Sequence, residues 1–279
     1  MSIIKSVKSN TGVRADIEIF ASSIELVETC RNRKIQDEEF NDMSKKYYGE
    51  FENCKNYEDA LNLLNYGWDK EIESIKKIVK ECGKCVYEKR ITSEQSVEGF
   101  MPIVPLALNR VPNAMINARF KPIKTKTISI YYDTTCPAHY RANTIANNGK
   151  KLVEAIIKLE KNGYRVSLNI VSSFTEGNEG KFMAVNIKPA NQLMDIKRLC
   201  FPLMHSAMSR VFGFDWYSKF PKTKYYDCYG QNANTRYGKE KTQKLFKDLF
   251  GQESVFVSNS EMTDIEDAEK YILEKLEVR

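Results

Sequence analysis

Asp133 closes a β-rich run, Thr127-Ile128-Ser129-Ile130-Tyr131-Tyr132, and in open α/β sheets the carboxyl ends of the strands are where ligands bind. A carboxylate followed two residues later by the Thr135 hydroxyl begins an oxygen-ligand set for a divalent ion. Cys136 and His139 place a thiol and an imidazole in the same loop, the raw material of a nucleophile pair, without a third group or an oxyanion hole. Cys82-Gly83-Lys84-Cys85 spaces two thiols as half of a zinc site. Zinc takes about four ligands, and the chain's two histidines, His139 and His205, have no spaced partner. As a redox pair the CxxC is misplaced, because it ends a helix instead of opening one. Gly177 to Lys181 contains Gly-x-x-Gly-Lys. A phosphate loop has four residues between its glycines and runs into a helix, so this is a hairpin turn. No catalytic residue and no cofactor is therefore expected, and Asp133 and Thr135 are candidate metal ligands in an incomplete set.

A different chemistry is suggested by Tyr217, Lys222, Lys224, Tyr225, Tyr226, Tyr229, Arg236 and Tyr237, among which Lys219, Lys239 and Lys241 are also interspersed. Aromatics beside cations stack bases and pair phosphates, and Tyr and Arg are what protein interfaces prefer. The charge layout bears on both. Residues 100–251 carry 24 Lys and Arg against 10 Asp and Glu, a net of +14, between a first third at −3 and a tail at −5. Such a basic body attracts phosphate backbones or acidic protein surfaces, or is neutralised by its own acidic ends.

The elements that must position these residues follow from periodicity. Ser22-Ser23-Ile24-Glu25 predicts a capping box opening a helix to about Arg33. Asn56 caps a helix with Ala60, Leu61 and Leu64 inward that stops at Gly67. After Trp68 at the elbow, Asp69 opens a second helix with Ile72, Ile75, Val79 and Cys82 on one stripe. The first third, residues 1–98, thus reads as mostly helical. Pro102, Pro105, Pro112 and Pro122 interrupt the apolar stretch from Phe100 to Phe120. They forbid a long helix and a central strand, so residues 99–125 read as an extended connector crossing the core.

The strand ending at Asp133, a helix carrying Ile145, Leu152, Val153, Ile156, Ile157 and Leu159, and a strand from Tyr164 to Ser173 make a βαβ unit. A third strand, Phe182 to Ile187, pairs as a hairpin. A helical stretch over 191–212 broken near Pro202, a helix over Lys239 to Phe250, a strand over Ser254 to Ser258 and a terminal helix over Ile265 to Leu276 complete residues 126–279. The predicted class is α/β, a mixed sheet in a three-layer sandwich with a helical N-terminal region.

Asp133-Thr134-Thr135-Cys136 resembles the start of the metal-binding loop of von Willebrand-type domains, Asp-x-Ser/Thr-x-Ser. Pro137 stands where the last hydroxyl would be, so a site built that way lacks a ligand. The pieces Tyr57-Glu58-Asp59-Ala60-Leu61 with Asn65-Tyr66-Gly67-Trp68, Val104-Pro105 with Val111-Pro112-Asn113-Ala114-Met115, and Gly149 to Val166 closing on Gly163-Tyr164-Arg165-Val166 resemble a family of tailed-bacteriophage proteins of unknown function. The resemblance covers roughly residues 20–220 and implies a phage-encoded protein in the host bacterial cytoplasm or in a virion.

The start, Met1-Ser2-Ile3-Ile4-Lys5-Ser6, has no apolar signal region. No stretch reaches the roughly 18 apolar residues of a membrane span, and seven scattered cysteines predict reduced thiols and no disulfide framework. The leading expectation is a non-enzymatic protein that binds a protein partner, a second copy of itself or a virion or host protein, as a virion assembly component or a binder of a host or defence factor. Nucleic-acid binding by the basic middle and a metal-dependent enzyme centred on Asp133 are the alternatives.

Overall fold

The computed structural model describes residues 2–8, 12–46, 54–82, 91–120, 126–137, 140–176, 178–221 and 231–277. The chain opens with β1 (Ile3–Lys8), β2 (Arg14–Phe20), α1 (Ser23–Asn32), α2 (Glu38–Lys46), α3 (Tyr57–Tyr66) and α4 (Ile72–Cys82). It continues with β3 (Ile91–Ser96), β4 (Met101–Pro102), α5 (Val104–Leu108) and β5 (Met115–Phe120). The central elements are β6 (Thr127–Asp133), α6 (Ala142–Lys161), β7 (Arg165–Glu176), β8 (Glu179–Lys188), α7 (Ile196–Met204) and α8 (Phe214–Tyr217). The last are α9 (Ala233–Tyr237), α10 (Lys239–Phe250), β9 (Ser254–Ser258), α11 (Asn259–Asp264) and α12 (Ala268–Glu277).

Residues Met1–Lys84 and Thr127–Arg279 form one compact unit, and Cys85–Lys126 a second. In the first, six strands lie in the order β1-β2-β8-β7-β6-β9. β6 is parallel to β7 and to β9, while β7 and β8 form the antiparallel hairpin that the Gly177 turn predicts. Alternation along the strands sends side chains to opposite faces. Ile128, Ile130, Tyr132, Leu168, Val185 and Val257 face one layer of helices, including α6, α7 and α12. Tyr131, Val171, Phe182, Ala184 and Phe256 face the other, where α9 and α10 bring Tyr237, Leu245 and Phe246. The result is the expected mixed α/β sandwich.

The boundaries expected at residues 98 and 125 give way to a different division. β2 pairs in parallel with β8, so the N-terminal region adds two strands to the main sheet as well as four helices. Alternation in Ala15-Asp16-Ile17-Glu18-Ile19-Phe20 carries that strand. The buried Glu18 anchors it: Arg33 grips its carboxylate through both terminal nitrogens, and the Trp216 indole N–H donates to it at 2.8 Å. The proline-rich stretch is no single extended connector either. Its Pro-free part, β5, is the centre of a three-stranded sheet β3-β5-β4. Pro102 lies on the two-residue edge strand, and Pro105 sits in the first turn of α5, where a missing N–H costs nothing.

Several local expectations hold in detail. The Asn56 side chain accepts the Asp59 N–H, Ala60 and Leu64 are buried, and α3 ends at Gly67 with φ of 91°. A Cβ there would collide with the Lys197 carbonyl. Trp68 is buried at the elbow with its ring edge-on to His205. Ser22 caps α1, but Glu25 reaches back to the Ala21 N–H instead of that of Ser22. The full capping box is at Ser258 and Glu261. α7 runs through Pro202 and ends at His205, ahead of a π-helical turn, Met208–Gly213. Burial of Phe201, Leu203 and Met204 offsets the ~3 kcal/mol cost of an internal proline.

α6 and α7 cross where Gly149 has no side chain. A Cβ there would stand 2.6 Å from Met204 Cγ and 2.8 Å from the Leu203 carbonyl oxygen. Alanine is favoured over glycine within a helix by about 1 kcal/mol, whereas overpacking a tight contact costs about 1–3 kcal/mol. Gly149→Ala is therefore expected to lower stability by about 1 kcal/mol net in urea unfolding. A gain in stability would show that the two helices have room to separate.

Candidate functional site

The order of strands reverses about β6, and Asp133 is its last residue, fully buried. Its Oδ1 accepts the Thr135 N–H at 2.9 Å and its Oδ2 the Ser173 hydroxyl at 2.6 Å, with the Thr135 hydroxyl and the Ala233 N–H as further donors. Thr135 Oγ1 in turn accepts the Ser173 N–H at 2.9 Å. Burial pushes the Asp133 carboxyl up from its ordinary 3.8 to about 6, against the pull of these hydrogen bonds.

The neighbouring end of β9 is built the same way. Buried Glu261 accepts from Asn234, from the Ser258 N–H and from the Tyr271 hydroxyl, and pairs with Lys275 at 3.1 Å. Burial raises its pKa, but the Lys275 charge and these donors outweigh it and hold the carboxyl below its ordinary value. Lys275 also donates to the Phe256 carbonyl at 2.7 Å. α9 lies over this edge, so Asp133 and Thr135 serve a buried polar network whose groups bind one another. Among the described residues, no three His, Cys, Asp or Glu side chains gather closely enough to hold a metal ion.

Cys136 is buried, which raises its thiol pKa despite the Arg210 guanidinium beside it. A thiol kept protonated is a poor nucleophile. His139 and Cys85 lie outside the described residues.

The tyrosine- and cation-rich segment divides. Tyr217 is 1% exposed and packs against Phe40 and Phe174, with ring centroids 4.5 and 4.0 Å away. Tyr237 is buried too, and its hydroxyl donates to the Glu179 carbonyl. Both are core residues, which corrects their expected place on a partner surface: their rings fill space against strands distant in sequence. Arg236 is exposed. Lys222, Lys224, Tyr225, Tyr226 and Tyr229 lie outside the described residues.

An exposed apolar surface stands elsewhere, on the small unit. Val97, Phe100, Met101, Val104, Leu108 and Val111 are all exposed, from 42% for Val111 to 79% for Leu108. Val104 and Leu108, four apart on α5, share a face. No residue from 94 to 117 is buried. A sheet of three short strands needs a packed apolar face to be stable, and contiguous exposed apolar side chains mark interaction sites. The sequence did signal this surface, as the proline-punctuated apolar run from Phe100, but the run reads the same whether or not it lies on a core.

A family model for a domain of unknown function, DUF7192, matches residues 12–278. The chain belongs to the DUF7192 family. The match takes in both units of the fold. No curated protein and no solved structure matches the chain. No helix of this DUF7192 chain, among the described residues, is long and apolar enough to cross a membrane.

The Asp133 carboxyl makes stability depend on pH with a definite sign. The unfolded chain releases its proton near 3.8 and the folded chain near 6. The group's stabilising contribution is thus fully present below 3.8 and is lost as pH rises to about 6, a change of roughly 3 kcal/mol. Asp133→Asn has no such titration. Measured by urea unfolding, the stability of Asp133→Asn relative to the unmodified protein is expected to rise by roughly 3 kcal/mol between pH 3.5 and pH 7. Parallel pH profiles for the two proteins would rule this assignment out.

Proposed function

We propose that this DUF7192 protein is non-enzymatic and acts by binding another protein, through the apolar surface of its small unit. The observation that carries the proposal is that Val97, Phe100, Met101, Val104, Leu108 and Val111 are each exposed within one short stretch of a unit with no buried residue from 94 to 117. Each such side chain gains up to about 1.5–3 kcal/mol on full burial, and a partner supplies that burial. The mutual hydrogen bonding of Asp133, Thr135, Ser173 and Glu261 favours a structural role for the carboxyl edge over a catalytic one.

Three cations of the basic middle are engaged within the fold, which removes them from any nucleic-acid surface. Lys188 pairs with Glu160, Lys150 with Glu71 and Lys219 with Asp215. The likeness of the Tyr57–Trp68, Val104–Met115 and Gly149–Val166 pieces to tailed-phage proteins supports an infected bacterium as the setting. There the partner is a virion component or a host factor.

The test is a tagged pull-down of the full chain from bacterial lysate treated with nuclease, beside the Phe100→Ser/Leu108→Glu variant. The unmodified chain is expected to recover a defined protein. The variant is expected to lose it, each anchor contributing about 2 kcal/mol or more, with an unchanged melting temperature for the main unit. Equal recovery by the two proteins would exclude this surface. Recovery that collapses with nuclease would move the function to nucleic acid.

A further inference from the structure

An open groove of about 730 Å³ lies on the main unit, between the start of α4 and the residues that lead into α7. Ile72, Leu193, Met194 and Ile196 supply its apolar lining. Ile72, Met194 and Ile196 pack in part on the core beneath, and Leu193 is 76% exposed. The charges of the rim cancel one another. Asp69 pairs with Lys197 at 3.4 Å, Glu73 with Lys76 at 2.6 Å and Asp195 with Arg198 at 3.6 Å. No surplus charge is left there for an ionic ligand, so what the groove offers is apolar contact.

The same chain carries a segment of matching chemistry. From residue 99 to 117, Arg110 is the only charged residue. Within that stretch Val104 and Leu108, four apart on α5, are 57% and 79% exposed. A short helix that lays its apolar face in an apolar groove is a recurring mode of protein recognition. The electrostatics agree. A nearly uncharged helix leaves the rim ion pairs intact, whereas a charged segment would lose water there without gaining a partner.

We infer that this groove takes α5 of a second copy of the chain, so that copies associate head to tail. The inference rests on the reading that the small unit binds protein through its apolar surface, and it names that partner. Groove and helix are different surfaces, so the contact is heterologous. Each copy that joins leaves one groove or one α5 open for the next.

Sedimentation equilibrium of the full chain from about 10 to about 500 µM, a span suited to micromolar contacts, tests this. Leu108→Glu, Leu193→Glu and an Ile24→Glu control on α1 are run beside it. All three positions are exposed, so the variants fold, which circular dichroism checks. The average mass of the unmodified chain and of the control is expected to rise with concentration. Leu108→Glu and Leu193→Glu are each expected to weaken association about tenfold or more. The deciding sample is an equal mixture of those two variants. One keeps its groove and the other its α5, so the mixture is expected to form a heterodimer and grow no further. The inference is overturned if the unmodified chain stays monomeric or if Leu193→Glu associates as the unmodified chain does. It is also overturned if the mixture stays monomeric, as pairing of identical surfaces requires. A monomeric chain whose lysate partner is still lost in Phe100→Ser/Leu108→Glu would overturn the second copy as occupant and leave the protein-binding reading standing.

Discussion

Strand β6 is hydrogen-bonded on both edges, to β7 and to β9, and covered by helices on both faces. Its carboxyl end is buried, so a charged group standing there must be satisfied from within the protein. Asp133 meets that condition by taking hydrogen bonds from Thr135, Ser173 and Ala233. Ser173 belongs to β7 and Ala233 to α9, so one carboxylate fixes the ends of two strands and the start of a short helix. The same burial that makes Asp133 useful as a fastener raises its pKa and withdraws it from ligands. Position at a sheet's carboxyl edge thus leads to opposite roles depending on whether a helix closes over it, and here α9 does.

Buried charges repeat this pattern through the main unit. Glu18, Glu160 and Glu261 each hold a cation from another element: Arg33, Lys188 and Lys275. Removing one partner of such a pair costs several kcal/mol, about 3–5, because a charge is left unpaired in the interior. These pairs are better understood as register pins than as sources of stability. Glu18 fastens β2, between β1 and β8, through Arg33 and Trp216, and Lys275 ties α12 to β9 at the Phe256 carbonyl.

The small unit obeys the opposite rule. Its strands pair through β5, yet no residue from 94 to 117 is fully buried, and Phe100, Val104 and Leu108 are exposed. Backbone hydrogen bonds alone do not hold so short a sheet together in water, since each contributes only about 1 kcal/mol net. The unit's exposed apolar side chains would gain free energy on being covered, whereas the polar groups of the main unit bind one another.

Local sequence determined the elements whose signals lie within a few residues. The bounds of α10 follow from periodicity and from Gly238 and Gly251 at its ends, and those of β9 from its short β-rich run. The β6–α6–β7 unit follows from the change of period, and the β7–β8 hairpin from its Gly-x-x-Gly turn. Tertiary structure alone decided the rest, because burial depends on residues far apart in the chain. Tyr217 became a core residue through Phe40 and Phe174, and Asp133 a structural group through Ser173 and Ala233. Arg33 and Lys219, 186 positions apart, came to line one cleft. The run from Phe100 to Val111 was legible as apolar. Its exposure was not, because a side chain's chemistry states what it would gain from burial and not whether the fold supplies it.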